Sequence, residues 1–227
     1  AIATGVRRAY DSFIESSVRS SASDLAAQSP LIEYSNRMID ILGDQSASLT
    51  PALDQFFDGM KELSLDPSSE LRRDTALADA KGLASRFNEL SHQLQLIDDE
   101  TRNQLSYKVN EFNALTDQLA VINQKLLRQS DLKRQPPDLL NSRDQVLVEL
   151  SKNFRLSVEQ SSNGIVSVSL GKNSDGVKVV DGSSAKQLGI EYKATTSPAE
   201  AILVLDAFGD RQDLSGLTGV GGELGGL

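Results

Sequence analysis

Along the first two-thirds of the chain apolar residues recur at steps of three and four; after about residue 154 they recur at steps of two. That change of period predicts helices followed by strands. Phe13, Ser17, Ala22 and Leu25 form a weak first stripe, which Pro30 is expected to kink or interrupt, because proline lacks the N–H that a helix interior uses. Ile32, Ser35, Ile39 and Leu42 extend it to Gly43, a stop signal, which predicts helix over about 6–43. In "TPALDQFFDGMKEL" the pattern predicts a helix over 50–64, with Thr50 as N-cap and Pro51 in the first helical position. Leu53, Phe56, Phe57, Met60 and Leu63 then line one face. "DPSSE" repeats the start signal, with Asp66 capping and Pro67 opening.

The segment after Pro67 reads as one long helix over 67–128. Leu83, Phe87, Leu90, Leu94 and Ile97 alternate steps of four and three, the pattern of a coiled-coil seam. Steps of four through Thr101, Leu105 and Val109 make a stutter, and the stripe resumes with Phe112, Leu115, Leu119, Ile122 and Leu126. A helix of about 60 residues extends roughly 90 Å, too long for a compact domain of this size, so the segment is expected to be a rod. Such a rod cannot hide both flanks against two shorter helices, and some apolar surface is expected to await other chains.

A loop, "RQSDLKRQPP", ends the rod, and "PPDLLNSRDQVLVELS" begins a further helix over 138–153 with Asp138 as N-cap. Leu140, Arg143, Leu147, Leu150 and Phe154 share one of its faces, which places an arginine inside a leucine stripe. A guanidinium there needs a carboxylate or backbone carbonyls while its stem covers apolar surface. Adjacent residues diverge on a helix, so Asp144 is not the expected partner across the same face.

"FRLSVEQ", "IVSVSL" and "VKVV" alternate apolar and polar residues and "AILVLD" is a further strand candidate. Asn163-Gly164 and Asp175-Gly176 stand at hairpin-turn positions between strands. Of 16 glycines, 12 follow residue 160, and the closing "LTGVGGELGGL" reads as a linker or turn back rather than a core element. The fold class expected is α+β: an elongated helical bundle or rod with coiled-coil character over 1–153, a small antiparallel β domain over 154–214, and a Gly-rich return over 215–227.

Composition narrows the function. The chain has 227 residues with 23 Lys+Arg against 32 Asp+Glu, a net charge of −9. Residues 154–227 hold 6 basic and 9 acidic side chains, leaving 17 and 23 for the rest, so neither part offers a basic face for nucleic acid or anionic lipid. No apolar run approaches the roughly 20 residues of a membrane span. The absence of cysteine excludes disulfides, thiolate metal sites and cysteine nucleophiles. The sequence starts at Ala1 in mid-pattern, as expected of a trimmed piece of a longer protein.

Candidate chemistry is sparse. His92, the one histidine, has Glu89 and Asp98 nearby in sequence, an ordinary arrangement on a solvated helix face. "KNSDG" lacks the glutamate that closes a calcium loop and reads as a turn. "GVGGELG" has no strand leading into it and no phosphate-binding lysine after it. No hydrolase or zinc-protease motif occurs, and the abundant serines have no base. Neither a cofactor, a metal nor a catalytic residue is expected.

Several stretches together resemble the bacterial flagellar hook-associated proteins of the hook–filament junction, the FlgK type. "GVRRAYDSFI" is similar to that family's early "GV…R.YD.FL". "FFDGMKELSLDPSSELRRDTALADAKGLASRFNEL" is similar to its paired phenylalanines, "LS..P.....R" and alanine-leucine helix. "VNEFNALTDQLAVINQKL", "PDLLNSRDQVLVELS" and "GGELGGL" resemble its "VN..N.L..QIA.LN..I", "NDLLD.RD.LL.ELS" and "G.LGGLL". The stretches run in order from about Gly5 to Leu227. Asn141 stands where the family has Asp, and the loop after Arg128 is short. The family's terminal helices are not in this sequence.

The resemblance implies a secreted, extracellular structural subunit that self-associates in an axial ring. Its implied partners are the hook protein, the second junction protein and, through segments outside this sequence, an export chaperone. It also implies passage unfolded through a type III export channel, a route that a cysteine-free, tryptophan-free chain suits. With the resemblance, Arg143 and Asp144 become candidate pins of fold or interface, Arg143 expected to tie the short helix to a carboxylate on the rod and Asp144 to face outward. Phe56, Phe57, Phe87 and Phe112 become candidate packing or interface residues. Two alternatives stand beside it: a coiled-coil adaptor, which sedimentation would show as a defined dimer, and the related filament-proximal junction protein.

Overall fold

The computed structural model describes residues 12–43, 48–129, 135–171, 176–193, 200–207, 210–217 and 219–227. Four helices come first: α1 (Ser12–Gly43), α2 (Leu49–Leu65), α3 (Glu70–Leu127) and α4 (Pro137–Asn153). Seven strands follow: β1 (Leu156–Gln160), β2 (Val166–Leu170), β3 (Lys178–Asp181), β4 (Ser184–Ala185), β5 (Gln187–Lys193), β6 (Glu200–Ala207) and β7 (Asp210–Asp213). A short helix, α5 (Gly222–Gly226), closes the chain. The architecture is α+β, as the change of period predicts.

Local chemistry moves several helix starts. α2 begins at Leu49 behind Ser48, not Thr50. Pro51 still sits in the first turn, where an N–H has no intrahelical acceptor and its loss costs nothing. Asp66 is the C-cap of α2 and not the N-cap of the next helix; its carboxylate accepts the Ser68 N–H at 3.2 Å and the Ser68 hydroxyl at 2.7 Å, closing a turn that contains Pro67. α3 therefore starts at Glu70, with the Ser69 hydroxyl accepting the Arg72 N–H at 3.5 Å. α4 is capped by Pro136, and Asp138 lies inside its first turn, where a carboxylate favours the helix dipole. α1 continues through Pro30. Proline there removes one hydrogen bond, to the Ala26 carbonyl, at a cost of about 3 kcal/mol; the buried position of its ring offsets part of it.

The chain divides into two compact units, Ala1–Leu31 with Gln104–Leu227, and Ile32–Asn103. The division thus falls within α1 and α3 instead of after residue 153, because α4 and the strands pack on the second half of α3. In this first unit the strands form two antiparallel sheets, ordered β1-β2-β3-β4 and β5-β6-β7. β1 and β2 pair from Leu156↔Leu170 to Gln160↔Val166 around the Asn163-Gly164 turn, where Gly164 adopts φ 82°. The Asp175-Gly176 turn lies mostly outside the described residues. β3 and β4 close on a two-residue turn at Gly182-Ser183.

The core of this unit joins Leu105, Val109, Phe112, Leu119, Ile122 and Leu126 of α3 to Val146, Leu147 and Leu150 of α4. It continues into Val166, Val168 and Leu170 of β2, and into Val179 and Val180 of β3. The Phe112 and Phe154 rings meet edge to face, centroids 5.2 Å apart. Two asparagines of α3 fasten the sheets. Asn123, fully buried, donates to the carbonyls of Val166 (2.8 Å) and Gly182 (2.6 Å) and accepts the Val166 N–H at 3.1 Å. Asn113 does the same for β5, donating to the Leu188 carbonyl and accepting the Leu188 N–H, both at 2.8 Å.

The second unit is helical. Gly59 of α2 lets the backbone of α2 approach Ala76 and the Asp79 carboxylate of α3. Arg72 Nη1 donates to the Glu62 carbonyl at 2.7 Å, and Arg37 of α1 pairs with Glu100 of α3 at 2.6 Å. That hydrogen bond holds the exposed Arg37 guanidinium above its ordinary pKa.

Candidate assembly surface

The residues that the sequence singles out fall into two groups. Arg143 is the largest fully buried side chain, at 1% exposure. Its Nε and Nη2 both lie 2.8 Å from Asp144 Oδ1, and its Nη1 donates to the Gly164 carbonyl at 2.9 Å. The expected partner on α3 is therefore corrected to Asp144, and Asp144 does not face outward. Cβ vectors of neighbours diverge on a helix, but the guanidinium is long enough to fold back across its own turn to the next side chain. Gln135 Nε2 donates to the Asn163 carbonyl at 2.7 Å, so the Asn163-Gly164 turn is gripped from both sides. Phe112 is wholly buried and packs inside its unit.

Phe57 and Phe87 belong to the other group. Phe57 is 63% exposed and Phe87 50%, while Phe56 is half-buried with its ring edge on Phe57, centroids 5.4 Å apart. The α3 seam explains Phe87. From Leu105 onward most of its positions are buried; between Leu83 and Ile97 only Leu90 is. On α1 the expected stripe of Phe13 and Leu25 points outward, at 80% and 71% exposure. The buried stripe is instead Arg19, Ser23, Ala26 and Pro30, small or polar residues at helical spacing that a hydrophobicity pattern passes over. Val18, Leu25, Ile32 and Ile39, seven residues apart, are all exposed. Val18 and Leu25 belong to the first unit and Ile32 and Ile39 to the second, and the spacing is visible in the sequence.

In the first unit a groove of about 650 Å³ is lined by Ala27, Leu203, Leu214, Leu217, Val220 and Leu227 among others. It is apolar apart from Glu200 and Ser215. Ser215 donates its N–H to Asp213 at 2.7 Å, which with its hydroxyl holds that exposed carboxyl below its usual pKa. His92 is exposed. Among the described residues no three His, Cys, Asp or Glu side chains gather as a metal site, and no helix is long and apolar enough to cross a membrane.

Fold and surface define a class: an α+β module whose helices bury one face and leave a second apolar face open. The chain belongs to the family of the flagellar hook-associated protein FlgK helical domain, whose model matches residues 35–227. It is 27% identical over 187 residues to flagellar hook-associated protein 1 of Salmonella typhimurium, covering 82% of this chain and 33% of the relative. The protein of that name in Escherichia coli is 24% identical over 187 residues, covering 82% and 34%. In Bacillus subtilis it is 21% identical over 177 residues, covering 78% and 35%. The chain thus spans about a third of the length of these curated relatives. Its fold is similar to that of the flagellar hook junction protein FlgK from Burkholderia pseudomallei, with a TM-score of 0.76 and 25% identity, covering 95% of this chain and 38% of that one.

Proposed function

We propose that this chain is part of a structural subunit of the bacterial flagellum that joins hook to filament, secreted and built into the extracellular appendage. The observation that carries the reading is the set of large apolar side chains left exposed on α1 in each unit and on α2 in the second, in a chain of the FlgK helical-domain family. Large apolar side chains left in water on a helix are stable places for another helix to pack, and burying each contributes about 1.5–3 kcal/mol. Further copies in an axial ring, the hook protein and a second junction protein are the proposed partners. The role is structural, and no catalytic step is assigned to it.

The test is genetic and needs no purified assembly. In the flagellated organism that encodes it, deleting the gene should leave hooks without filaments and abolish swimming in soft agar. The wild-type gene should restore both, whereas Leu25→Asp or Phe57→Asp, each expected to keep the circular dichroism of wild type, should restore neither. Normal filaments in the deletion strain would end this reading.

A further inference from the structure

Seven residues at the end of the chain occupy a position that their composition does not suggest. Gly221, Gly222 and Gly226 each stand where a side chain would collide with neighbouring atoms. A Cβ on Gly226 would enter the Ala27 carbonyl of α1, one on Gly222 the Asn153 carbonyl at the end of α4, and one on Gly221 would lie 2.6 Å from the Ser23 hydroxyl oxygen. Gly221 and Gly222 also hold φ of 54° and 70°, conformations open to glycine. Between the glycines Leu224 is buried in the core of the unit. At the flanks the Arg155 N–H donates to the Val220 carbonyl at 2.6 Å, and Lys108 of α3 pairs with Glu223 at 2.6 Å.

The N-terminal part of α1 also lies beside α4, where Glu15, Val18 and Arg19 line a groove with Asp144, Gln145 and Val148. Its large apolar residues, Phe13, Val18 and Leu25, face outward, and its buried stripe consists of Arg19, Ser23, Ala26 and Pro30. Ser23 and Ala27 meet the glycine segment, and Asp24 forms an ion pair with Arg155, the residue that holds Val220. One short segment therefore touches α1, α3, α4 and the start of β1 at once.

We propose that Gly221–Leu227 is a latch that seats the N-terminal part of α1, so that latch and helix open together as one local unit. Contacts this close have no intermediate position. The glycine backbone either lies against Ser23 and Ala27 or leaves both, and a helix deprived of that contact keeps the Asp24–Arg155 pair and the side of Glu15, Val18 and Arg19 that lies along α4. The same contact fixes which side of α1 faces outward, because only small residues fit beneath glycine backbone.

Hydrogen exchange on the intact chain, followed by mass spectrometry, tests this independently of any assembly. In wild type, amides of residues 15–30 and 222–227 should exchange at a common rate, faster than those of 119–126. Gly226→Ala should accelerate both segments about tenfold or more while leaving 119–126 unchanged, as local opening permits. Lys108→Gln, which introduces no clash, should act in the same direction and more weakly. Should residues 15–30 keep their wild-type protection in both variants, or should all segments accelerate together, the latch is disproved.

Discussion

Arg143 joins α4 to the β1–β2 turn through one guanidinium, three of whose donor bonds go to two acceptors. Replacing it with leucine leaves the Gly164 carbonyl, on a buried residue, and the Asp144 carboxylate, only 13% exposed, without their charged donor. Arg143→Leu should therefore lower unfolding free energy by about 2–3 kcal/mol in urea titrations, despite adding a leucine to a leucine stripe. Arg143→Lys should recover only part of it, since an ammonium cannot present the forked geometry. A variant as stable as wild type would show that packing, not pairing, decides this position. Lys108 makes a second prediction. Burial alone would lower its pKa, but hydrogen bonds to Glu223 and Glu111 outweigh burial and hold it above the ordinary value near 10.5. A pKa raised by folding means that the protonated form is favoured in the folded state. The contribution is thus complete below the unfolded value and lost as pH rises through the raised one. Alkaline titration followed by exchange at 222–227 should show the latch loosening there in wild type, and no such step in Lys108→Gln.

At the scale of elements, the two sheets hang on α3 by separate asparagines. Asn113→Ala removes both partners of the Leu188 backbone and should accelerate exchange in β5, leaving β2 as in wild type; Asn123→Ala should do the reverse at Val166. Asn123 is the more buried, and its loss should cost about 2–4 kcal/mol, three backbone groups losing their partner. Equal loosening of both sheets by either variant would mean that they behave as one cooperative piece. Periodicity made the four long helices and strands β1, β2, β3 and β6 legible in the sequence: the apolar positions of α4, of the second half of α3 and of those strands face one continuous core, and those of α1 and α2 keep helical spacing although none of the large ones is buried. It missed β5 and β7, whose residues are largely exposed or half-buried, and β4, only two residues long. It also misread the ends of helices, where a turn closed by Asp66 competes with a cap by the same residue. The glycine-rich close went unrecognised as core, since tight backbone packing leaves no hydrophobic signature. Arg143's burial was legible; its partner was not, because side-chain reach is no part of a helical wheel.

For the molecule as a whole, stability is distributed unevenly. Ala76 and Leu90 are the buried apolar residues of Ile32–Asn103 among those described, whereas the other unit has an extensive apolar core. The same stretch carries 14 acidic and 7 basic side chains, so −7 of the total −9 resides there. These two buried side chains, one of them an alanine methyl, supply only about 2–4 kcal/mol of transfer free energy, against an ordering cost near 1 kcal/mol or more for every residue. Helix hydrogen bonds and pairs such as Arg37–Glu100 must hold the rest, and like charges oppose them. In the isolated chain, amides of 32–103 should therefore exchange well before those of 119–126. Raising salt from about 0.02 M to 0.5 M should slow them, because repulsion among exposed carboxylates is screened over a few ångströms at that strength. If the open faces of Phe57, Phe87 and Ile39 are packing surfaces, the same amides should become strongly protected once the subunit is incorporated into flagella. Protection of 32–103 already equal to that of 119–126 in the free chain, and unmoved by salt, would mean that these faces need no partner.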